Sequence, residues 1–537
     1  MIKGFRQIAS LTALSRVFGM LRDIAYSHFF GANQLLDAWV VAFKIPNLSR
    51  RLFGEGAASA SFIPVYSEAL YKDRKQAAKL ANTVVTVLFM VLAAFVLIGE
   101  AGIWLYYSLF ARTSETTLIL SLSSIMLPYM LFVCMVAMLA GVLNVHRHFA
   151  SPAAAPIVLN IFIIGTILLT GWMFGLQARE QLFCVAVAVL VAGVVQIAIQ
   201  IWPLRRSGVS IRPAWQVRSE YFKKILLLMG PMILGLTATQ INTLADDLIA
   251  WWFSGSEEKG RFFEFLGAQI EYPMWRGSVS HLYYAQRLYQ LPLGVLGISL
   301  ATAIFPVMSS DAAKKDFAAL RATISKGIRG TVFVAVPATV GLIMVAKPLI
   351  STAFEHGSFT DEDTAMVLGI LGFYALGLCG YFAQQILARA FYSMQDSKTP
   401  MRSAVIAVFV NVILNLTLIW FMGTKGLALS TALCSYLQVV ILASLLRRRV
   451  ADTILDGFGV TLAKTILATV FMYLAGAGII SVTGKLLPDS RWFNILRLAA
   501  VVPSAAAVYL LSAKLLHIKM LSLLTGRKGE SQKPPGI

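Results

Sequence analysis

The sequence predicts an all-α polytopic membrane protein of about fourteen transmembrane helices, built as two six-helix lobes plus two C-terminal helices. Three observations predict this class. Of the 537 residues, 58% are hydrophobic and only 13% charged, with a mean hydropathy of +0.73; a soluble chain carries roughly 25% charged residues. Apolar stretches of ~20 residues, the length a helix needs to cross hydrocarbon, recur from end to end. Basic residues collect in alternate loops between them.

The stretches fall at approximately 8–30, 35–69, 80–108, 117–145, 152–175, 181–203, 224–253, 281–308, 328–354, 364–393, 401–422, 425–446, 458–482 and 492–515. The first two are interrupted and carry charge; the others follow from hydropathy. No removable signal peptide is expected, because Arg16 and Arg22 break the first apolar stretch and no small-residue cleavage pattern ends it.

Loop charge sets the orientation. One side carries Lys72, Arg74, Lys75 and Lys79, then Arg147, Arg205 and Arg206, Lys314 and Lys315, Lys398 and Arg402, and Arg447 to Arg449. The opposite loops hold few bases, and Glu355 to Asp363 is acidic apart from His356. The positive-inside rule places both termini in the cytoplasm. The net charge of +20 is thus a topology signal, and nucleic acid is not an expected partner. Cys134, Cys184, Cys379 and Cys434 lie in apolar segments without CxxC spacing and read as small core residues, not a metal or disulfide set.

The chain repeats at about 245 residues: Phe62-Ile63-Pro64-Val65 closes segment two as Phe305-Pro306-Val307 closes segment eight, and Pro152 with Asn160 matches Pro400 with Asn411. The expected division is 1–206 for one six-helix lobe, 207–449 for the second with an external insertion at about 254–280, and 450–537 for two extra helices and a basic tail. Parallel repeats of this kind place a substrate path between the lobes.

Chemistry concentrates at Arg16, Arg22, Asp23, Asp37, Lys44, Arg50, Arg51 and Glu55. Insertion scales charge about 2.5–3.5 kcal/mol per such residue at the bilayer centre, on the order of 20 kcal/mol for the set. Helix ends and snorkelling can excuse Asp37 and Lys44 but not the whole set, so these side chains face a hydrated interior or one another. Arg16 and Asp23 share a helix face and can neutralise each other, while Arg22 projects away toward a ligand. Pro46, Gly54, Gly56 and Pro64 interrupt the second helix around Arg50, Arg51 and Glu55, as in helices that line cavities. Arg287 in segment eight brings the net charge of this set to +3. Such a cavity suits an anion, and arginine suits phosphate; internal ion pairing is the other reading, above all for Asp23 and Glu55. Asp246 and Asp247 in segment seven are candidate sites for a coupling cation or proton, the other reading being a place near the external interface beside Trp251 and Trp252. Asn411 and Asn415 share a face and read as helix bridges. No GxxxxGK[ST] loop and no hydrolase or transferase constellation is present, so neither a built-in ATPase nor an enzyme is expected.

Several strings resemble the MurJ/MviN lipid II flippase family. They are Ser15-Arg16-Val17-Phe18-Gly19-Met20-Leu21-Arg22-Asp23, Asp37-Ala38-Trp39, the run from Ala42 through Arg50-Arg51-Leu52-Phe53-Gly54-Glu55-Gly56, Tyr283-Tyr284-Ala285-Gln286-Arg287, and Gln395-Asp396-Ser397-Lys398-Thr399-Pro400. The resemblance implies the multidrug/oligosaccharidyl-lipid/polysaccharide exporter fold in the bacterial cytoplasmic (inner) membrane. It implies alternating-access transfer of lipid II, the undecaprenyl-diphosphate-linked peptidoglycan precursor, from the inner to the outer leaflet for cell-wall synthesis and cell shape. It implies Arg16, Arg22, Arg50 or Arg51, and Arg287 as cavity residues that bind substrate. Asp23, Asp37, Lys44 and Glu55 are then cavity charges that tune or gate. It implies no cofactor but coupling to sodium ion, proton or membrane potential, with Asp246 a possible cation ligand. Expected partners are membrane lipids and the cell-wall synthesis machinery. Gln286 and Gln290 stand where relatives often carry acids. Alternatives are a flippase for another undecaprenyl-diphosphate-linked saccharide and a non-transporting scaffold for cell-wall assembly.

Overall fold

A computed structural model describes residues 2–110, 113–450, 452–486, 488 and 490–521, with side chains described except at 2–9, 54–60, 230–236, 238–239 and 452–453. The side chains of Lys3, Arg6 and Glu55, together with Arg112 and the basic tail from 522 through Lys533, thus lie outside what is described. By its contacts the chain forms two compact units, Met1–Ser280 with His356–Phe359, and His281–Glu355 with Thr360–Ile537.

The first unit runs α1 (Ile2–Phe30), α2 (Gln34–Ser49), a π-helical stretch Arg50–Gly56, α3 (Ala57–Lys72), α4 (Arg74–Phe110), α5 (Ser114–Met126), α6 (Tyr129–Val145), α7 (Ala150–Leu168), a π-helical stretch Leu169–Met173, α8 (Ala178–Arg206) and α9 (Glu220–Trp252). Four short strands follow: β1 (Ser254–Gly255), β2 (Phe262–Phe265), β3 (Ala268–Glu271) and β4 (Met274–Trp275). They form two pairs, β1 parallel to β4 and β2 antiparallel to β3. The chain leaves this unit through the first turn of α10 (Ser278–Pro292).

In the second unit α10 continues into a π-helical stretch Leu293–Gly297, then α11 (Ile298–Ala313), α12 (Phe317–Phe354), α13 (Asp361–Leu376), α14 (Leu378–Ser393), α15 (Lys398–Met422), α16 (Thr424–Val450), a 3-10 turn Asp452–Leu455, α17 (Phe458–Leu486) and α18 (Arg491–Leu515).

Among the described residues, eleven helical stretches are long and apolar enough to cross a membrane, counting α5–α6, α7 with its π-helical end, α10–α11 and α13–α14 as one each. The other long stretches are α1, α2–α3 and α9, where charge lowers the hydropathy.

Local chemistry explains the breaks. Asn33 opens α2 by accepting the N–H groups of Leu35 and Leu36. Pro46 then lies inside α2, and the π-helical stretch holds Gly54 and Gly56. The second unit repeats the device: Pro292 ends α10, and the following stretch holds Gly294 and Gly297. Both stretches lead into a helix with an internal proline, Pro64 in α3 and Pro306 in α11. The match continues in order: long α4 and α12, the paired α5–α6 and α13–α14, then α7 with α8 and α15 with α16.

Each unit has its own core. Phe62, Val65, Tyr66 and Ala69 of α3 pack with α4, α6 and the start of α9 through Leu80, Met138, Leu139, Phe222 and Ile225. In the second unit, Ile304, Met308, Ile324, Ile386, Phe391 and Leu446 join α11, α12, α14 and α16. The last two helices lie on α12, where Phe333 meets Ala468, Met472, Ala505 and Tyr509. The contacts therefore place α9 in the first unit, through its long packing against α3.

Candidate functional site

The charges of α1 meet α7. Arg22 donates to Asp23 Oδ1 through Nε at 3.1 Å and Nη2 at 2.8 Å, and through Nη1 to Asn160 Oδ1 at 3.1 Å. Its guanidinium also lies 5.6 Å from the Tyr26 ring centroid. Arg22 and Asp23 are both buried. This corrects the expectation that Arg22 projects freely while Asp23 pairs with Arg16. The flexible arginine folds back on its chain neighbour because Asn160 supplies a further acceptor on that side. Arg16, near the middle of the 29-residue α1, is exposed.

A second set of charges ties α2 and α3 to α9. Lys44 pairs with Asp247. Seven residues on from Lys44, Arg51 donates to Oε1 of Gln240, seven back from Asp247, at 3.0 Å. Farther along, Lys224 meets Glu68 at 2.8 Å, and Glu68 also holds Lys72 at 3.0 Å. Equal steps in opposite senses define an antiparallel polar seam along both helices. Lys44 is thus an inter-helix tie as well as a cavity charge candidate. Asp247 is buried in that pair, and the adjacent Asp246 is buried too. Arg50 is half-buried and Arg51 exposed, both in the π-helical stretch.

Asp37, read from the sequence as a cavity charge, has a structural duty. It is fully buried and accepts from Gly277 N and Ser280 N, each at 2.7 Å, and from Ser280 Oγ at 2.6 Å. A carboxylate that receives the orphan N–H groups of a helix start is favoured by hydrogen bonding and by the helix dipole. Asp37 therefore holds the first turn of α10.

The sequence reading missed the buried pair beside it. Arg276 Nε and Nη2 donate to Glu115 Oε2 at 3.1 and 2.7 Å. Its Nη1 donates to the Trp251 carbonyl at 2.6 Å, and its guanidinium lies 3.7 Å from that tryptophan's ring centroid. Both residues sit in loop-flanking sequence 161 positions apart, where no spacing rule joins them. The loop His356–Phe359 also belongs to this unit. Ser358 N donates to the His28 carbonyl at 2.9 Å, and Gly31, with φ +66°, admits the Ser358 carbonyl where a side chain would stand.

In the second unit Arg287 is exposed on α10 and steered by Tyr283, one turn earlier, whose hydroxyl accepts from Nη2 at 3.2 Å under a 4.6 Å ring contact. Gln286 donates to the Tyr374 hydroxyl at 3.2 Å. Arg389 of α14, overlooked in the sequence, spans to α11 through Ile298 O at 3.2 Å and Thr302 Oγ1 at 3.0 Å. An arginine inside an apolar helix was its available signal. Asn411, Asn415 and Ser430 are fully buried and hydrogen-bonded to one another, as the reading of these asparagines as helix bridges expects. Among the described residues no group of three or more His, Cys, Asp or Glu could hold a metal ion.

Guanidinium groups on membrane-length helices can bind a diphosphate, and acids beside them can modulate that binding. Comparison with known proteins gives the family. The model of the family described as lipid II flippase MurJ matches residues 26–496. A probable lipid II flippase MurJ of Vibrio cholerae is 32% identical over 81% of both chains. One of Haemophilus influenzae is 31% identical over 96% of this chain and all of its own. Among solved structures, a lipid II flippase MurJ in an inward closed conformation is 25% identical, covers 96% of this chain and 99% of its own, and superposes with a TM-score of 0.74. An inward-facing multidrug resistance transporter of the MATE family, at 14% identity over 83% of this chain and 98% of its own, shares the fold with a TM-score of 0.63. The chain is a multi-pass bacterial membrane transporter, not an enzyme, and belongs to the lipid II flippase MurJ family.

Proposed function

We propose that this protein carries lipid II from the inner to the outer leaflet of the cytoplasmic membrane by alternating access. The observation that carries the reading is Arg16, an exposed guanidinium near the middle of a membrane-length helix. Facing lipid there would cost about 2.5–3.5 kcal/mol even on insertion scales. Facing a hydrated path, the same group binds a diphosphate through two hydrogen bonds. Arg51 and Arg287, also exposed, are its proposed companions, while the polyprenyl tail stays in lipid. Arg22 and Arg50 complete the binding set; Asp23 competes with substrate for Arg22, and so helps to release it.

The proposal includes both termini in the cytoplasm, supported by the loop charges, and fourteen crossings, with α1, α2–α3 and α9 added to the apolar eleven. Transport is coupled to sodium ion, proton or membrane potential, and buried Asp246 is the candidate cation ligand. The released substrate passes to the cell-wall synthesis machinery.

The test is rescue of cells depleted of their own lipid II flippase, following lipid II accessibility at the outer leaflet. Arg16→Gln and Arg287→Gln are expected to reach the membrane at normal levels and to abolish rescue. Full transport by both variants would refute the mechanism. Build-up of a different lipid-linked saccharide on depletion would redirect the substrate assignment.

A further inference from the structure

The segment between α9 and α10 contains a hairpin whose two faces differ in kind. β2 and β3 pair with Phe262 opposite Glu271, Phe263 opposite Ile270, Glu264 opposite Gln269 and Phe265 opposite Ala268. Successive strand side chains point to opposite faces. One face therefore carries Phe262, Glu264, Gln269 and Glu271, and the other Phe263, Phe265, Ala268 and Ile270. The second face is apolar throughout. At its root Phe263 meets the Tyr272 ring at 4.9 Å between centroids. At its tip Phe265 is exposed and Leu266 is 91% exposed.

The turn itself is unusual in composition. Leu266 (φ 51°) and Gly267 (φ 78°) both adopt left-handed backbone, the two-residue turn whose first position normally takes Asn, Asp or Gly. A leucine there is disfavoured twice, by its backbone and by water. Contact with an apolar medium removes the second penalty.

The root of the hairpin lies at a band of aromatic residues. α9 ends in Trp251 and Trp252, the latter exposed. Glu258 accepts Ser114 N at 2.6 Å and Glu115 N at 3.2 Å, which ties the segment to the start of α5. The preceding end of α4 exposes Trp104, Tyr106, Tyr107 and Phe110. Exposed Trp and Tyr at helix ends mark the depth of lipid headgroups. Strands of four residues reach about 14 Å from that level.

We propose that this hairpin is an interfacial anchor lying on the bilayer. Its apolar face and the Leu266 tip enter the boundary between headgroups and acyl chains, and Glu264 and Glu271 face water. Amphipathic elements bind membranes in this way, with the apolar face submerged and the polar face solvated. Continuity with the aromatic ends of α4 and α9 makes lipid the occupant, in preference to a second copy or another protein.

The experiment uses the full chain in vesicles of phosphatidylethanolamine and phosphatidylglycerol, spin-labelled singly through Leu266→Cys, Phe265→Cys or Glu264→Cys. The unsubstituted chain sets the background from the four native cysteines. Collision rates with oxygen, which partitions into lipid, and with a water-soluble nickel chelate are compared. The oxygen-to-nickel ratio at 266 and 265 is expected to exceed that at 264 several-fold. Equal ratios at the three sites would overturn the proposal. Exclusion of both reagents from the tip would also overturn it, by showing a protein contact.

Discussion

Cutting the tie between Lys44 and Asp247 tests whether the α2–α9 seam holds the first unit together. The Asp247 side chain is 3% exposed and that of Lys44 23%, so the two halves of the pair differ in cost. Lys44→Met strands a buried carboxylate, and removing one partner of a buried pair costs about 3–5 kcal/mol. Asp247→Asn leaves an ammonium that can reach water along its own stem, so its expected cost is at the lower end, about 1–3 kcal/mol. The double substitution removes both charges and should recover part of the loss, giving a coupling energy of about 1–3 kcal/mol. The assay is thermal unfolding of the purified protein in detergent, read by the exposure of buried Cys134 and Cys434 to a thiol-reactive dye. For a unit of this size, about 1–3 °C accompanies each kcal/mol, so Lys44→Met should lower the midpoint by roughly 3–15 °C. Strictly additive single and double effects, or no shift for Lys44→Met, would refute the reasoning.

Other outcomes follow from the same geometry. Asp37→Ala leaves the N–H groups of Gly277 and Ser280 without their acceptor and should cost about 2–4 kcal/mol; Asp37→Asn, which keeps one acceptor oxygen, should cost less in the same melt. Glu115→Gln weakens its hold on Arg276, and tryptic cleavage after Lys259 or Arg261 should then quicken relative to the parent chain. Unchanged digestion would place the restraint elsewhere. In the loop between α14 and α15, burial raises the Asp396 carboxyl. Hydrogen bonds from Thr399 and the Arg449 guanidinium outweigh that and hold it below its usual range. Its contribution is therefore present above the unfolded value of about 3.9 and lost as pH falls through the lower folded value. Asp396→Asn should flatten the acid limb of a stability-against-pH curve. Replacing Arg389 by Met removes the Nη1 donor that both Ile298 O and Thr302 Oγ1 accept; transport should fall while the melting midpoint moves little.

The class of the protein and much of its plan were legible because the membrane makes simple demands. A helix needs ~20 apolar residues to cross, and each buried charge needs a reason. Hence Arg16, Lys44 and Arg51 stood out against their surroundings, and Pro46 with Gly54 and Gly56 announced the break in the second crossing. The repeat was legible in Phe62–Val65 against Phe305–Val307 because both strings follow the same helix interruption. The strands of 254–275 were not foreseen. Their alternation is only four residues long in each strand, and the segment reads as a polar insertion until its pairing is known.

What the sequence determined by itself is the inventory: which helices are charged, where they break, and the excess of arginine that suits an anion. What only the tertiary structure decided is which charge meets which. Asp23 lies within reach of Arg16 by helical spacing, yet Arg22 is its hydrogen-bonded partner because α7 brings Asn160 to that side. Asp37, expected from the sequence as a cavity charge, holds Gly277 and Ser280, some 240 residues away. Helix periodicity fixes only the direction in which a side chain leaves its own axis. Its partner depends on the neighbour that packing delivers, and Lys44 with Asp247, Glu115 with Arg276 and Glu258 with the start of α5 are all settled there.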